Sequence, residues 1–152
     1  MKRHPGLIKL SREHHAALVL AKRAQRLGSE TSEAAAPFLA EVAQAFANES
    51  EPHFLAEESG LLAALDAAGQ AALAERTLAD HQALRALARR LAAGDAASLC
   101  RFGELLEAHV RFEERELFPH AESILPPEVL ADIDRASLAP SDACCFSTPT
   151  SC

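Results

Sequence analysis

Four of the seven histidines sit where histidine is unusual, on the apolar stripe of a helical pattern, near its middle, one to a helix. His14 lies four residues after Leu10 and four before Leu18. His53 continues the stripe of Leu39, Val42 and Phe46, and Leu61 follows it. His81 is three residues from both Leu78 and Leu84, and His109 is four past Leu105. Two glutamates share this placement: Glu57 four residues after His53, and Glu113 four after His109. Residues at i and i+4 stand one above the other on a helix face, so each His-x-x-x-Glu pair aims an imidazole and a carboxylate into one patch of interior. Burying an unpaired carboxylate costs several kcal/mol, and each unsatisfied imidazole adds roughly 1 to 3 kcal/mol. Six such groups at one level would consume much of a domain's marginal stability. Two divalent or trivalent cations, bridged by the two carboxylates and capped by the four imidazoles, resolve that cost.

Taken singly, each feature has a bland explanation. A lone histidine on a stripe is usually a satisfied core residue, and a lone His-x-x-x-Glu is often a simple side-chain pair. The joint pattern is what points to metal. His15 lies about 100° around the helix from His14. It is the alternative ligand on the first helix, or a donor behind the ligands, but the stripe of Leu7, Leu10, Leu18 and Ala21 centres on His14. Glu58 is expected to face solvent or to stand behind the ligands. His4 and His120 lie outside helix middles and receive no metal role.

These residues need long helices to position them. Alanine, leucine, glutamate and arginine dominate, all strong helix formers, while β-branched residues are sparse. The fold class is therefore all-α. A first helix runs from about Leu7 to Leu27 and ends at a Gly28 cap; a second runs from about Glu33 to Ala67, with Pro37 in its first turn. Pro52 should kink the second helix, or break it into two stacked helices near Ser50. A third follows the Gly69 turn, from Gln70 to Ala93. A fourth is capped by Asp95 and reaches Leu117 before Pro119, and a short fifth starts at the Pro126-Pro127 step and continues to Ala136. No internal repeat is evident. Short turns make this an antiparallel up-down-up-down four-helix bundle with a short fifth C-terminal helix, which places the helix middles at one height. Residues 1–136 form the bundle, and 137–152 read as a disordered Ser/Pro/Cys tail.

The net charge of −7 argues against nucleic acid, which needs clustered Lys and Arg. No apolar run is long enough to span a bilayer, and the basic N-terminus lacks the plain apolar core of a signal peptide. A cytoplasmic protein without membrane or nucleic-acid partners is expected. Cys100 lies alone in a helical pattern while Cys144, Cys145 and Cys152 crowd the terminus; all four read as thiols.

With these residues in hand the chain resembles the hemerythrin family, in its bacterial HHE cation-binding form. The matching segments are Leu10-Ser-Arg-Glu-His14, Pro52-His-Phe-Leu-Ala-Glu57-Glu58, Asp80-His81, His109-Val-Arg-Phe-Glu113 and Glu116-Leu-Phe-Pro119. The resemblance implies two iron ions, one on His14 and His53, the other on His81 and His109. Glu57 and Glu113 would bridge them together with an oxo or hydroxo group. Two departures stand out. Oxygen-carrying hemerythrins place a second histidine one turn away on the third helix, where this chain has Thr77 and Arg85. They also use His-x-x-x-x-Asp on the fourth, where this chain has His109-x-x-x-Glu113, with Glu114 at the longer spacing. Ferritin-like sites use Glu-x-x-His pairs, which are missing here. A nitrogen-rich donor set suits iron and also accepts zinc or manganese.

The expected function is a non-haem di-iron protein that binds dioxygen or a related small oxidant, such as peroxide or nitric oxide. Phe46, Leu61, Phe112 and Leu117 would limit water. The alternative is iron sensing or buffering, with occupancy controlling folding or partner binding. A metal-free helical adaptor is the third reading. The chain has no tyrosine or tryptophan, so neither a tyrosyl radical nor a tyrosinate ligand is available.

Overall fold

Proline starts the first helix, α1, which spans Pro5–Gly28. At the first helical position the missing N–H has no partner to lose. The His4 ring accepts a hydrogen bond from the Gly6 N–H at 3.1 Å, closing the N-terminus. Gly28 does not form the left-handed cap its position suggested: it is the last residue of the helix, and only Gly69 and Gly94 have positive φ among the described residues. Its smallness serves packing instead, since a Cβ there would come within 2.6 Å of the Cys100 backbone nitrogen. This computed structural model describes residues 2–138.

The second helix, α2, covers residues 32–67 and begins behind Thr31, whose hydroxyl accepts from the Ala34 N–H at 3.2 Å. A 3₁₀ turn over Ala36–Phe38 takes in Pro37. No break occurs near Ser50, which keeps helical angles (φ −78°, ψ −40°). A π-helical stretch, Phe46–Ser50, directly precedes the Glu51-Pro52 step and absorbs the missing proline donor in a wider turn. The third helix, α3, is Ala71–Ala92, set off by Gly69 (φ 80°) and Gly94 (φ 93°).

The fourth helix, α4, covers residues 96–124 and corrects the expected stop at Leu117. A second device of the same kind, π-helical Glu113–Leu117, lies just ahead of Pro119, and the helix continues to Ile124. It ends where Leu125 turns extended before Pro126. Asp95 stands at its start, accepting from the Ser98 hydroxyl at 2.8 Å and pairing with Arg90. The fifth helix, α5, is Pro127–Leu138, two residues longer than expected. The expected tail and Cys144, Cys145 and Cys152 lie outside the described residues.

α1 packs along α4 and against α2, α3 packs against α2 and α4, and α5 lies over α1 and α2. The result is the antiparallel up-down-up-down bundle with a shorter fifth helix. Its apolar interior is in two pieces. One gathers Leu20, Val42, Phe46, Leu84, Leu99 and Phe102; the other gathers Leu7, Leu10, Leu61, Leu117, Phe118 and Ile133. Leu78, counted in the His81 stripe, is 36 % exposed, while Thr77 is fully buried. No described helix is long and apolar enough to cross a membrane.

Candidate metal centre

Between the two apolar cores lies a polar layer built from the six residues singled out by spacing. His14, His53, Glu57, His81, His109 and Glu113 all come inward, none more than 6 % exposed. Glu57 and Glu113 each open a π-helical stretch, so each carboxylate leaves its helix where the backbone widens. Glu57 Oε1 lies 3.1 Å from His53 Nε2, and its Oε2 lies 3.3 Å from His81 Nε2. Glu113 Oε2 lies 3.0 Å from His14 Nε2, and its Oε1 lies 3.2 Å from His109 Nε2. Each carboxylate thus turns one oxygen to each side.

The donors fall into two groups, His14–His53–Glu57–Glu113 and Glu57–His81–His109–Glu113, each with ligand atoms within 4.8 Å of one another. Despite these short separations, the four Nε2 atoms and all four oxygens of Glu57 and Glu113 make no aligned hydrogen bond. Unpaired buried polar atoms are rare and costly. Lone pairs converging on common points without bonding one another fit two cations that share two carboxylates.

The outward nitrogens are fully engaged. Nδ1 of His14 meets Glu114 at 2.7 Å, Nδ1 of His53 meets Glu13 at 2.8 Å, and Nδ1 of His81 meets Glu58 at 2.9 Å. Nδ1 of His109 meets Asp80 at 3.4 Å. A carboxylate only accepts, so each Nδ1 carries a proton and donates, which leaves Nε2 of the neutral ring as the inward lone pair. Glu58 and Glu114 therefore stand behind the inward-facing imidazoles of His81 and His14. Phe54 and Phe118 line the layer, Phe118 stacked on His14 at 5.2 Å between ring centroids.

Electrostatics follow from this crowding. Burial opposes charge on His14, but Glu113 and Glu114 beside it raise its pKa to about 9. The same contest at His53, with Glu57 and Glu13 as the opposing charges, ends at about 10. Burial would raise Glu57, yet His53 and His81 hold it well below the usual carboxylate range. Burial works against Glu114 too, and its contacts with His14, Ser11 and Arg3 bring it to about 2. Without metal, protons on imidazoles supply the positive charge that the carboxylates need.

His15 is exposed and stays out of the layer. Thr77 ties its hydroxyl to the Leu73 carbonyl at 2.9 Å, and Arg85 pairs with Glu51 and Glu58. Neither replaces a histidine, so α3 brings one imidazole. His4 caps α1, and His120 contacts Gln70 at 3.0 Å. Spacing had not revealed Glu13, Asp80, Phe54, Phe118 or Arg3. It had also hidden a repeat: Glu13-His14 with His53-x-x-x-Glu57-Glu58 is echoed by Asp80-His81 with His109-x-x-x-Glu113-Glu114. The acid directly beside His14, Glu57, His81 and Glu113 was the available signal. A cavity of about 720 Å³ opens between α1 and α2, lined by Ala16, Ala17, Ala47 and Ser50, and reaches His14, His53 and Glu113.

An antiparallel bundle with buried imidazoles from four helices around two shared carboxylates defines a four-helix protein with a candidate metal site. The hemerythrin HHE cation-binding domain model matches residues 6–121, and the chain belongs to that family. Neither the curated proteins nor the solved structures yielded a match.

Proposed function

We propose that the protein is a non-haem di-iron protein that binds a small oxidant, dioxygen or a relative such as peroxide or nitric oxide. The observation that carries this reading is the pair of four-donor groups sharing Glu57 and Glu113, with every inward atom lacking a hydrogen bond. His14 and His53 would hold one ion, His81 and His109 the other, with both carboxylates between. Iron bound there would supply electrons and open coordination positions for the oxidant. Two imidazoles at each end leave both ends sparse in donors, which favours binding and reduction of an oxidant over reversible carriage.

The rest is done by the protein's own side chains. The outer carboxylates keep the Nδ1 protons and aim Nε2 inward. Phe54 and Phe118 shield the imidazole faces from water. The cavity between α1 and α2 gives a small molecule a path to His14, His53 and His109. Metal analysis of protein purified without oxygen tests the reading: two irons per chain are expected. After oxidation, near-ultraviolet charge-transfer bands should appear against a background free of tyrosine and tryptophan. Absence of stoichiometric iron overturns it. Because all six donors are buried, coupling of occupancy to folding is the second reading. Loss of most helicity on chelation would favour that iron-sensing role.

A further inference from the structure

We propose that Glu13, Glu58, Asp80 and Glu114 are positioning residues that form a closed ring around the metal layer, each helix fixing the next helix's histidine, with His109 as the ring's loosest corner. The inference rests on the metal-centre reading above and concerns side chains that would touch no metal.

The ring is directional. Glu13 of α1 holds His53 of α2, and Glu58 of α2 holds His81 of α3. Asp80 of α3 faces His109 of α4, and Glu114 of α4 returns to His14 of α1. No helix supplies the partner for its own histidine, so four correctly turned imidazoles require all four helices in register.

Three corners are backed by a cation. Lys9 pairs with Glu13 at 2.8 Å, Arg85 with Glu58 at 2.7 Å, and Arg3 with Glu114 at 2.6 Å. The Ser11 hydroxyl also donates to Glu114 at 2.6 Å. Each backing group takes rotational freedom from a carboxylate that could otherwise turn to water. Asp80 has no Lys or Arg partner among the described residues, and its contact with His109 is the longest of the four at 3.4 Å. Groups behind metal-bound histidines orient the ring and raise its basicity. A corner without backing transmits less of both.

Cobalt(II) titration of the full chain, with affinity from chelator competition and coordination read from visible bands, tests the ring. Glu58→Ala and Glu114→Ala should each weaken binding about 10- to 100-fold and shift the bands. Glu58→Gln and Glu114→Gln, which keep an acceptor oxygen, should recover most of that loss. Asp80→Ala should weaken binding less than about threefold, because its contact is already long. Melting of the metal-free variants separates positioning from a merely structural role, which would lower melting without moving the cobalt bands. Unchanged affinity and bands in the two alanine variants overturn the ring, and an Asp80→Ala loss equal to theirs overturns the loose corner. Wild-type protein that takes up no cobalt removes the metal-centre reading itself, and the ring with it.

Discussion

Phe54 lies flat on His81, their ring centroids 3.8 Å apart and their planes 8° from parallel. The same phenyl ring meets His109 edge-on at 5.3 Å, so one α2 side chain touches the imidazoles of both α3 and α4. Removing it should do two things at once. Phe54→Ala is expected to destabilise the fold by about 3 to 5 kcal/mol, the ordinary cost of emptying a large core site. Phe54→Leu should cost less, yet should still speed metal loss to a chelator, because water reaches the His81 face. Denaturant melts and chelator kinetics measure the two effects. Metal release from Phe54→Leu at the wild-type rate would remove Phe54 from any role at the site.

Shared and unshared donors should behave differently. Glu113 faces both His14 and His109, whereas His81 belongs to one donor group. Glu113→Ala should therefore abolish both metals, while His81→Ala should leave close to one per chain. Elemental analysis of the purified variants decides this. Equal losses would argue against carboxylates common to two ions.

Metal-free and metal-loaded protein should respond to pH in opposite senses. The His14 and His53 pKa values are raised above the ordinary 6.5, to about 9 and about 10. Stability from those imidazoliums is complete below 6.5 and is lost as pH climbs through the raised values. Glu57 is depressed below 4.5, so its contribution is present above that value and disappears in acid. Metal-free protein should thus be firmest between 4.5 and 6.5 and weaken toward alkaline pH. Metal-loaded protein should strengthen over the same climb, since ions compete with protons for Nε2. Denaturant midpoints on either side of the window, with and without metal, test both slopes.

The cavity between α1 and α2 gives a separate prediction. Ser50 lines it, is 4 % exposed, and its hydroxyl bonds no other protein group. Because removing that hydroxyl breaks no protein hydrogen bond, Ser50→Ala should change stability by less than about 1 kcal/mol. Ala47→Phe, at an exposed position on the rim, should slow azide binding to the iron-loaded protein without changing metal content. Unaltered azide kinetics would mean that small molecules reach the centre elsewhere.

Much of this was legible in the sequence, for a physical reason. His53 with Glu57 and His109 with Glu113 share a helix face whatever the tertiary structure, so periodicity alone aims them inward. Glu13 and Asp80 were invisible by the same logic. Each sits one residue before an inward histidine, about 100° around the helix, and reads as a solvated flank until a neighbouring helix supplies the partner. The break near Ser50 and the stop before Pro119 misled because a proline inside a helical pattern often ends it. Here π-helical turns ahead of Pro52 and Pro119 let the helix pass through. Gly28 does end its helix as expected, but without a left-handed turn; that it is also a contact point depends on Cys100 across the interface.

The division of the apolar interior into two bodies has a consequence for how the molecule comes apart. Each body is separated from the other by a layer in which opposite charges meet and only Phe54 and Phe118 reach in from the cores, like two short drums joined by a rivet. With the rivet set, calorimetric and van't Hoff enthalpies should agree, the mark of one cooperative unit. Once it is withdrawn, the Leu7 drum and the Leu84 drum are free to loosen at separate temperatures.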